Sequence, residues 1–219
     1  MKRFISILLT VTFCVSLGYS QNNQPNKAKT ILDNVSAKTK SFNTIKINYS
    51  FIHESKEKTE KPDKATGTLL LKGNKYQLSL LGNMLYCDGT NLWTHMIDEK
   101  EVTLSKIDAN KDEIFNPAKM LTIYETGFKY KFIQERFEQG RALYIIDLYP
   151  KDVAKSEYSS VRLYINKDKS QIWKIEYFAK DKNKYTIIVN SFETNTPIAE
   201  TEFKFDKVKH PGVKLIDER

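Results

Sequence analysis

The spacing of apolar residues changes after the first forty positions of this chain. Over residues 26–39, apolar side chains recur at the three- and four-residue spacing of an amphipathic helix, at Ala28, Ile31, Leu32 and Val35. From Ile45 to Phe51 every second residue is apolar, which is typical of a strand with one buried face. The pattern therefore predicts one helix followed by a β-rich body.

A meander of short strands is predicted for residues 65–105. Its β-favouring runs are interrupted at Lys72-Gly73-Asn74, Leu81-Gly82-Asn83 and Asp88-Gly89. Glycine and asparagine accept the positive φ angles that tight hairpin turns need, so these runs are expected to pair in an antiparallel arrangement. The strands are rich in apolar residues, and a sheet with an apolar face needs another sheet, helices or a ligand to cover it.

The second half of the chain predicts strands again, at residues 128–132, 142–149, 160–165, 172–179, 185–192 and 202–205. Between the two series, Asn116 as the cap, Pro117 in the first turn and Gly127 after the end delimit a short helix over residues 117–126. We predict a mainly β (α+β) fold, with a single large curved antiparallel sheet of about eleven strands and two or three short helices against one side.

The first twenty residues have the three parts of a secretory signal peptide. Lys2 and Arg3 precede an apolar run over residues 4–17, and small residues precede Gln21, where the mature chain is expected to begin. The run is short for a membrane span of about 20 residues, so a retained anchor is the weaker interpretation. Phe13 precedes Cys14 where a lipoprotein signal needs a small residue, so acylation of this chain is not expected. Residues 21–219 are predicted to form one domain.

Charge and cysteine content limit the function classes. Removal of Lys2 and Arg3 lowers the net charge from +8 to +6, and the remaining lysines alternate with acids, as in residues 54–61. This alternation indicates a solvated surface rather than a nucleic-acid site. Cys87 would be left as a lone cysteine, so no internal disulfide is possible, and we expect it to be a buried strand residue.

The sequence offers no catalytic constellation. His53, His95 and His210 are scattered without ligand spacing, which argues against a metal site. Neither a glycine-rich phosphate loop nor a serine nucleophile elbow is present. We therefore expect a protein that is not an enzyme and needs no cofactor or metal.

An ordered set of short motifs resembles the periplasmic carriers of outer-membrane lipoproteins, the LolA-like family. The most specific is Asp88-Gly-x-x-Leu-Trp93. The others are, in the family's order, Ser41-Phe42 leading to Phe51, Gly67 before a leucine-rich strand, Lys72-Gly-Asn-Lys-Tyr76, Val102, Asn116-Pro117 ahead of Met120-Leu121, Phe203-Lys-Phe205, His210-Pro-Gly-Val213 and Ile216-Asp217.

The resemblance implies an unclosed β-barrel of about eleven strands, with helices forming a lid over an apolar cavity that holds the acyl chains of a lipoprotein. By strand parity the lipid-binding cavity is expected to be lined by Ile47, Tyr49, Phe51, Leu69, Leu71, Leu78, Leu80, Trp173 and Ile175. The lid is expected to contribute Met120, Leu121 and Tyr124.

One departure from the family concerns the first meander turn. Relatives often carry Lys-Arg-Pro there, and the arginine fixes the lid by hydrogen bonds, whereas this chain has Lys72-Gly73-Asn74. Lys72 is the candidate lid latch. It supplies a point charge where arginine supplies a rigid fork, so an identical latch is not expected.

The partners implied by the resemblance are acylated lipoproteins and an inner-membrane ABC-type lipoprotein-releasing transporter, with an outer-membrane acceptor lipoprotein left open. We expect a periplasmic monomer that does not bind nucleic acid. The alternatives are a sensor of mislocalised lipoproteins and an envelope scaffold that fills the same concavity with its own side chains; a hydrolase is disfavoured. Copurifying lipid would separate a carrier from a scaffold.

Overall fold

The computed structural model describes residues 24–57, 61–107, 125 and 127–219. The predicted N-terminal helix is present as α1, which spans Gln24–Lys40. The four apolar residues that predicted this helix are all buried, at Ala28, Ile31, Leu32 and Val35. Lys38 and Lys40 lie in the last turn, where positive charge is favourable because the carbonyl end of a helix is partially negative.

In the part of the chain that the structure describes, twelve strands follow α1. They are β1 (Ile45–Glu54), β2 (Asp63–Lys72), β3 (Lys75–Leu80), β4 (Asn83–Cys87), β5 (Asn91–Met96), β6 (Glu101–Lys106), β7 (Phe128–Glu138), β8 (Arg141–Pro150), β9 (Tyr158–Asn166), β10 (Gln171–Ala179), β11 (Lys184–Thr194) and β12 (Lys214–Asp217).

The strands form one sheet in the order β12-β6-β5-β4-β3-β2-β1-β11-β10-β9-β8-β7. The pairings are antiparallel except for that of β12 with β6, and β12 and β7 lie at the two edges. The prediction of one large sheet in a mainly β fold is confirmed, with one strand more than expected.

The pairing of β1 with β11 joins the two halves of the sheet. We call β1–β6 with β12 the N-terminal wing, and β7–β11 the C-terminal wing. The hairpin turns of the N-terminal wing lie where glycine predicted them, because Gly73 and Gly89 have positive φ angles of 58° and 94°. Residues with a Cβ atom rarely adopt such angles, so glycine is the favoured residue at both turns.

Apolar side chains are buried on both faces of the sheet. We call the face that α1 covers the inner face, and the opposite one the outer face. α1 packs against β7 and β10, so it covers the inner face of the C-terminal wing. On the outer face of that wing, a second cluster is formed by Leu143, Ile145, Tyr164 and Trp173.

Residues 196–213, here called the C-terminal segment, pack on the outer face of the N-terminal wing. They include a short 3-10 helix, Glu200–Phe203, which contacts β3 and β4. Phe203 is fully buried, and the Gln77 side-chain amide donates a hydrogen bond to the Glu202 carbonyl at 3.0 Å. The outer apolar face of β3–β5 is thus covered by the protein itself.

The strand predicted for residues 202–205 is wrong, because Phe203 and Phe205 are aromatic anchors of the C-terminal segment and pair with no strand. Residues 117–124 and 126 of the predicted lid helix, with Met120, Leu121 and Tyr124, lie outside the described residues.

Across the described residues, no helix combines the length and the hydropathy needed to span a bilayer.

Candidate functional site

The inner face of the N-terminal wing carries a continuous apolar row across four strands. Ile47 lies opposite Leu69, Leu69 opposite Leu78, and Leu78 opposite Leu85. Ile47 and Leu69 are buried, with 4% and 3% of their surface exposed, whereas Leu78 and Leu85 are only partly buried. The row therefore passes from a closed core into an apolar surface that is still partly open.

Most of the residues predicted to line a cavity meet on the inner face of the sheet, where one apolar cluster runs through both wings. Five are buried in the main cluster: Ile47, Tyr49, Leu69, Leu71 and Ile175. Phe51 and Leu78 are partly buried and pack against that cluster. Leu80 is half-buried at the end of β3, where its partner is Asn83.

Strand parity assigned Trp173 to the inner face, and the structure places it on the outer face instead. The register of β10 against β9 shifts there, because Ile172 faces Ile165 and Lys174 faces Tyr164, which leaves Trp173 as a bulged extra residue. The bulge turns Trp173 into the outer cluster while Ile172 and Ile175 both stay in the main core. Lys174 lies on the outer side with it, with its Nζ 3.8 Å from the centre of the Tyr164 ring.

Three apolar residues on or beside this face were not predicted from the sequence. Leu85, Leu92 and Ile107 are partly buried and pack against the main cluster. Alternation did not reveal Leu85 and Leu92, because Tyr86 and Trp93 make the other side of β4 and β5 apolar as well. The face on which Leu85 lies follows from the register between β3 and β4, because this register places Leu85 beside Leu78.

The row ends in polar residues at its open side. Thr94 lies opposite Leu85, and Thr103 lies opposite Thr94. Both threonines are half-buried. The apolar surface is thus bounded by the buried core on one side and by hydroxyl groups on the other.

Tyr49 and Gly67 shape the floor of this region. The Tyr49 hydroxyl donates a hydrogen bond to the Ser79 carbonyl at 2.5 Å, and it passes over Gly67 to do so. A Cβ atom at Gly67 would lie 2.4 Å from the Ser79 carbonyl oxygen and 2.5 Å from the Tyr49 ring, closer than such atoms approach. Burial raises the pKa of Tyr49 to about 12, so its hydroxyl stays protonated as a donor.

Lys72, the candidate lid latch, has a different partner in the structure. Its Nζ lies 2.7 Å from a carboxylate oxygen of Glu200, and Lys75 binds the other oxygen at 2.6 Å. These hydrogen bonds lower the pKa of Glu200 to about 2. Glu200 belongs to the 3-10 helix on the outer face, so Lys72 fastens the C-terminal segment, and its role as a lid latch stays a prediction.

An aromatic cluster also holds the C-terminal segment on the outer face. The Phe205 ring stacks on His210 with centroids 5.0 Å apart, and it meets the edge of His95 at 5.1 Å. His95 is buried, and its Nδ1 has no hydrogen-bond partner within the described residues. Burial, and then the neighbouring His210, lower the pKa of His95.

Glu125 connects the region of the predicted lid helix to α1. Its carboxylate accepts hydrogen bonds from the Ser36 hydroxyl and from Lys40 Nζ, the latter at 2.6 Å. The hydrogen bond from Lys40, followed by that from Ser36, lowers the pKa of Glu125. Glu125 is therefore tied to one flank of α1.

Cys87 is buried as predicted, with its thiol 3.6 Å from the Asn74 carbonyl oxygen. Burial raises the pKa of the thiol, which disfavours the reactive thiolate. Within residues 24–57, 61–107, 125 and 127–219, no three His, Cys, Asp or Glu side chains are grouped to hold a metal ion. What the site offers chemically is apolar surface.

The sequence comparison agrees with this geometry. Residues 40–206 match the sequence profile of the family described as outer membrane lipoprotein carrier protein LolA. This chain belongs to the LolA family. The match includes β1–β11 and the whole 3-10 helix, so it contains the strands that carry the inner apolar face, while β12 lies beyond it.

Individual relatives of this LolA-family chain are distant. An uncharacterised protein of Methanocaldococcus jannaschii is 23% identical over 147 residues, which cover 66% of this chain and 41% of that protein. The chain thus spans less than half the length of this curated relative. An uncharacterised conserved protein of Thermus thermophilus has the same fold, with a TM-score of 0.59 and 9% identity over 88% of this chain and 99% of the other. A LolA superfamily protein of Nitrosomonas europaea gives a TM-score of 0.45 and 12% identity over 81% and 97% of the two chains.

Proposed function

We propose that this LolA-family protein carries lipoproteins between the inner and outer membranes by binding their acyl chains on the inner face of the N-terminal wing. The observation that most supports this proposal is that apolar side chains on this face stay partly exposed, at Phe51, Leu78, Leu85 and Leu92. Two other apolar surfaces are covered, since α1 packs on the inner face of the C-terminal wing and the C-terminal segment packs on the outer face of β3–β5.

The energetics favour a binding face of this kind. Each methylene removed from water contributes about 0.8 kcal/mol, so one acyl chain of about 15 carbons costs on the order of 10 kcal/mol to expose. A lipid-anchored protein therefore needs an apolar host to cross an aqueous gap. A face that is half-buried rather than sealed can give its ligand up again to a membrane or acceptor.

The remaining parts of the proposal rest on the sequence. Residues 1–20 act as a cleaved signal peptide, and residues 21–219 form the carrier domain in the periplasm. The partners are acylated lipoproteins and an inner-membrane ABC-type releasing transporter, and the protein acts as a binding protein without catalysis. The family is named for carriers, which supports this class of function.

Leu78→Glu tests the proposed binding face. A carboxylate in the middle of the apolar row is costly to desolvate, so it should lower affinity for a long-chain fatty-acid fluorophore by at least about tenfold. Leu70→Glu is the matched control. Leu70 is a half-buried leucine of the neighbouring strand, and it lies opposite Gln77, next to the Leu69–Leu78 pair but on the outer face.

The two variants separate binding from folding. Both should keep the far-UV circular dichroism spectrum of the parent protein, and only Leu78→Glu should lose the fluorophore. If folded Leu78→Glu binds the probe with the parent's affinity, acyl chains do not use this face. Native mass spectrometry of the protein purified from cells adds a check, because a scaffold would carry no lipid.

A further inference from the structure

A second concave site lies on the flank of α1 at the opposite side of the helix from Glu125. It is an open pocket of about 420 Å³ between α1 and the ends of β8 and β9. This volume falls in the range of small-molecule sites, about 300–1,000 Å³. Its polar lining includes Lys27, Asn34, Tyr144, Asn166, Lys167 and Ser170.

The described lining of the pocket holds two lysines and no acidic side chain, and the carboxylate of Glu135 beside it pairs with both lysines. Lys27 Nζ lies 2.8 Å from one oxygen of Glu135, and Lys167 Nζ lies 2.5 Å from the other. The two hydrogen bonds, that from Lys167 first, lower the pKa of Glu135 to about 2, so this carboxylate is ionised at neutral pH. Each ammonium has three donors, and Glu135 occupies one on each, so N–H groups are left to bind another anion.

The rest of the pocket is suited to a small organic group beside that anion. Ile31, Val35 and Ile165 give it an apolar floor, and Tyr144 adds an aromatic wall. Lys167 Nζ lies 4.8 Å from the centre of the Tyr144 ring, and Lys27 Nζ lies 4.2 Å from that of Phe132, so both ammoniums are held over aromatic faces. The two charges are therefore positioned before any ligand arrives.

The pocket is separate from the apolar face of the N-terminal wing. Its strand residues belong to β8 and β9, whereas the acyl-binding face belongs to β1–β5. At 100° per residue along α1, Lys27 and Asn34 project from one flank, and Ser36 and Lys40, which bind Glu125, project from the other. A ligand here would occupy neither the acyl-binding face nor the region next to Glu125.

We propose that this pocket binds a phosphate ester of a small polyol, with the phosphate on the N–H groups of Lys27 and Lys167 that Glu135 leaves free and the organic part on Tyr144 and the apolar floor. Lysine ammoniums bind phosphate as point charges, and two of them supply several N–H donors to the acceptor oxygens of one ester phosphate. The ester is either a free metabolite or the headgroup of a phospholipid, and both present the same chemistry.

Isothermal titration of the mature protein with glycerol 3-phosphate tests this site. Saturable binding is expected, and Lys27→Gln and Lys167→Gln should each weaken it about tenfold, because each removes one charge-assisted hydrogen bond. Lys29→Gln is the matched control: Lys29 lies on the same helix, points away from the pocket and pairs with Asp33 at 2.6 Å. It should leave the affinity unchanged.

Glu135→Gln makes the test independent of folding damage. Removing the competing carboxylate frees both ammoniums, so the affinity for glycerol 3-phosphate should rise several-fold, a direction that a damaged protein does not produce. Dihexanoyl phosphatidic acid distinguishes the source: tighter binding than glycerol 3-phosphate assigns a lipid headgroup, and equal binding assigns a free ester.

Three outcomes would overturn the proposal. They are an absence of binding by both esters, an equal loss in Lys29→Gln, and inorganic phosphate binding as tightly as glycerol 3-phosphate. The result does not depend on the proposed carrier function, because Leu78→Glu should leave ester binding intact while Lys167→Gln leaves binding of the acyl fluorophore intact.

Discussion

Among single residues, Gly67 is glycine because its neighbours leave no room for a side chain. The Tyr49 ring and the Ser79 carbonyl occupy the space where a side chain at this position would lie. Glycine inside a strand commonly marks such a close approach. The Tyr49 hydrogen bond to Ser79 requires this gap, so the two residues form one structural unit.

Gly67→Ala should destabilise the protein by about 1–3 kcal/mol, because a methyl group must displace backbone and ring atoms that are already in contact. Urea unfolding followed by circular dichroism measures the change. Tyr49→Phe in the Gly67→Ala background serves as the control. It should not restore stability, since the Ser79 carbonyl remains in the way. An unchanged urea midpoint for Gly67→Ala would show that the gap is wider than the structure has it.

Strand parity predicted single residues well where the ladder is regular and failed where it is not. Ile47, Tyr49, Leu69 and Leu71 are buried on one face, as alternation requires. Trp173 does not lie on that face, because a bulge adds one residue to β10 and shifts the inward–outward alternation of the strand at this point. A bulge depends on the partner strand, so the sequence of β10 alone could not show it.

The C-terminal segment shows how an element can carry a strand-like pattern without being a strand. Phe203 and Phe205 alternate with charged residues, yet Phe203 is buried in a 3-10 helix and Phe205 packs on His95 and Tyr86. The pattern records which side chains face the protein. It does not record whether the backbone pairs with a neighbour, and this is why β12 and the 3-10 helix were not predicted.

The attachment of this segment should weaken in mild acid. The pKa of His95 lies below its ordinary value of 6.5 because of burial and His210. Folding then favours the neutral ring, the unfolded chain takes up the proton more readily, and stability should fall as the pH drops below about 6.5. Glu135 and Glu200, with pKa values of about 2 against 4.5, lose their contributions only below about pH 4.5.

Urea unfolding between pH 7.5 and 5 isolates the histidine effect. The parent protein should lose stability over this range, and His95→Phe, which keeps an aromatic contact with Phe205, should remove most of that loss. A parent protein whose stability is flat across this range would contradict the assignment, as would an unchanged slope in His95→Phe.

At the scale of the whole molecule, the proposed function depends on which faces of the sheet are covered and which stay open, more than on the number of strands. α1 and the C-terminal segment each cover apolar surface, which leaves the inner face of the N-terminal wing partly open. The sequence predicted a large apolar sheet and a helix against it. The covering of the outer face was not predictable, because it depends on a segment more than a hundred residues away from the strands it covers.

The location of the mature protein in the cell is a further test of the proposed carrier function. The proposed signal peptide predicts that the mature protein begins at Gln21 and is released from cells by osmotic shock, because Phe13 stands before Cys14 where an acylation signal needs a small residue. N-terminal sequencing of the released fraction checks both points. Stable fractionation with membranes after a salt wash would contradict the proposed periplasmic carrier.

The most direct test of the central claim is whether the purified protein keeps a triacylated lipoprotein in aqueous solution without detergent. Size-exclusion chromatography after detergent removal should give a soluble complex of one carrier and one lipoprotein. The same lipoprotein with its acylated cysteine replaced by serine should elute separately, and Leu78→Glu should leave the acylated form aggregated. Equal binding of the acylated and unacylated forms, or no soluble complex with the acylated one, would contradict acyl-chain binding as the basis of its function.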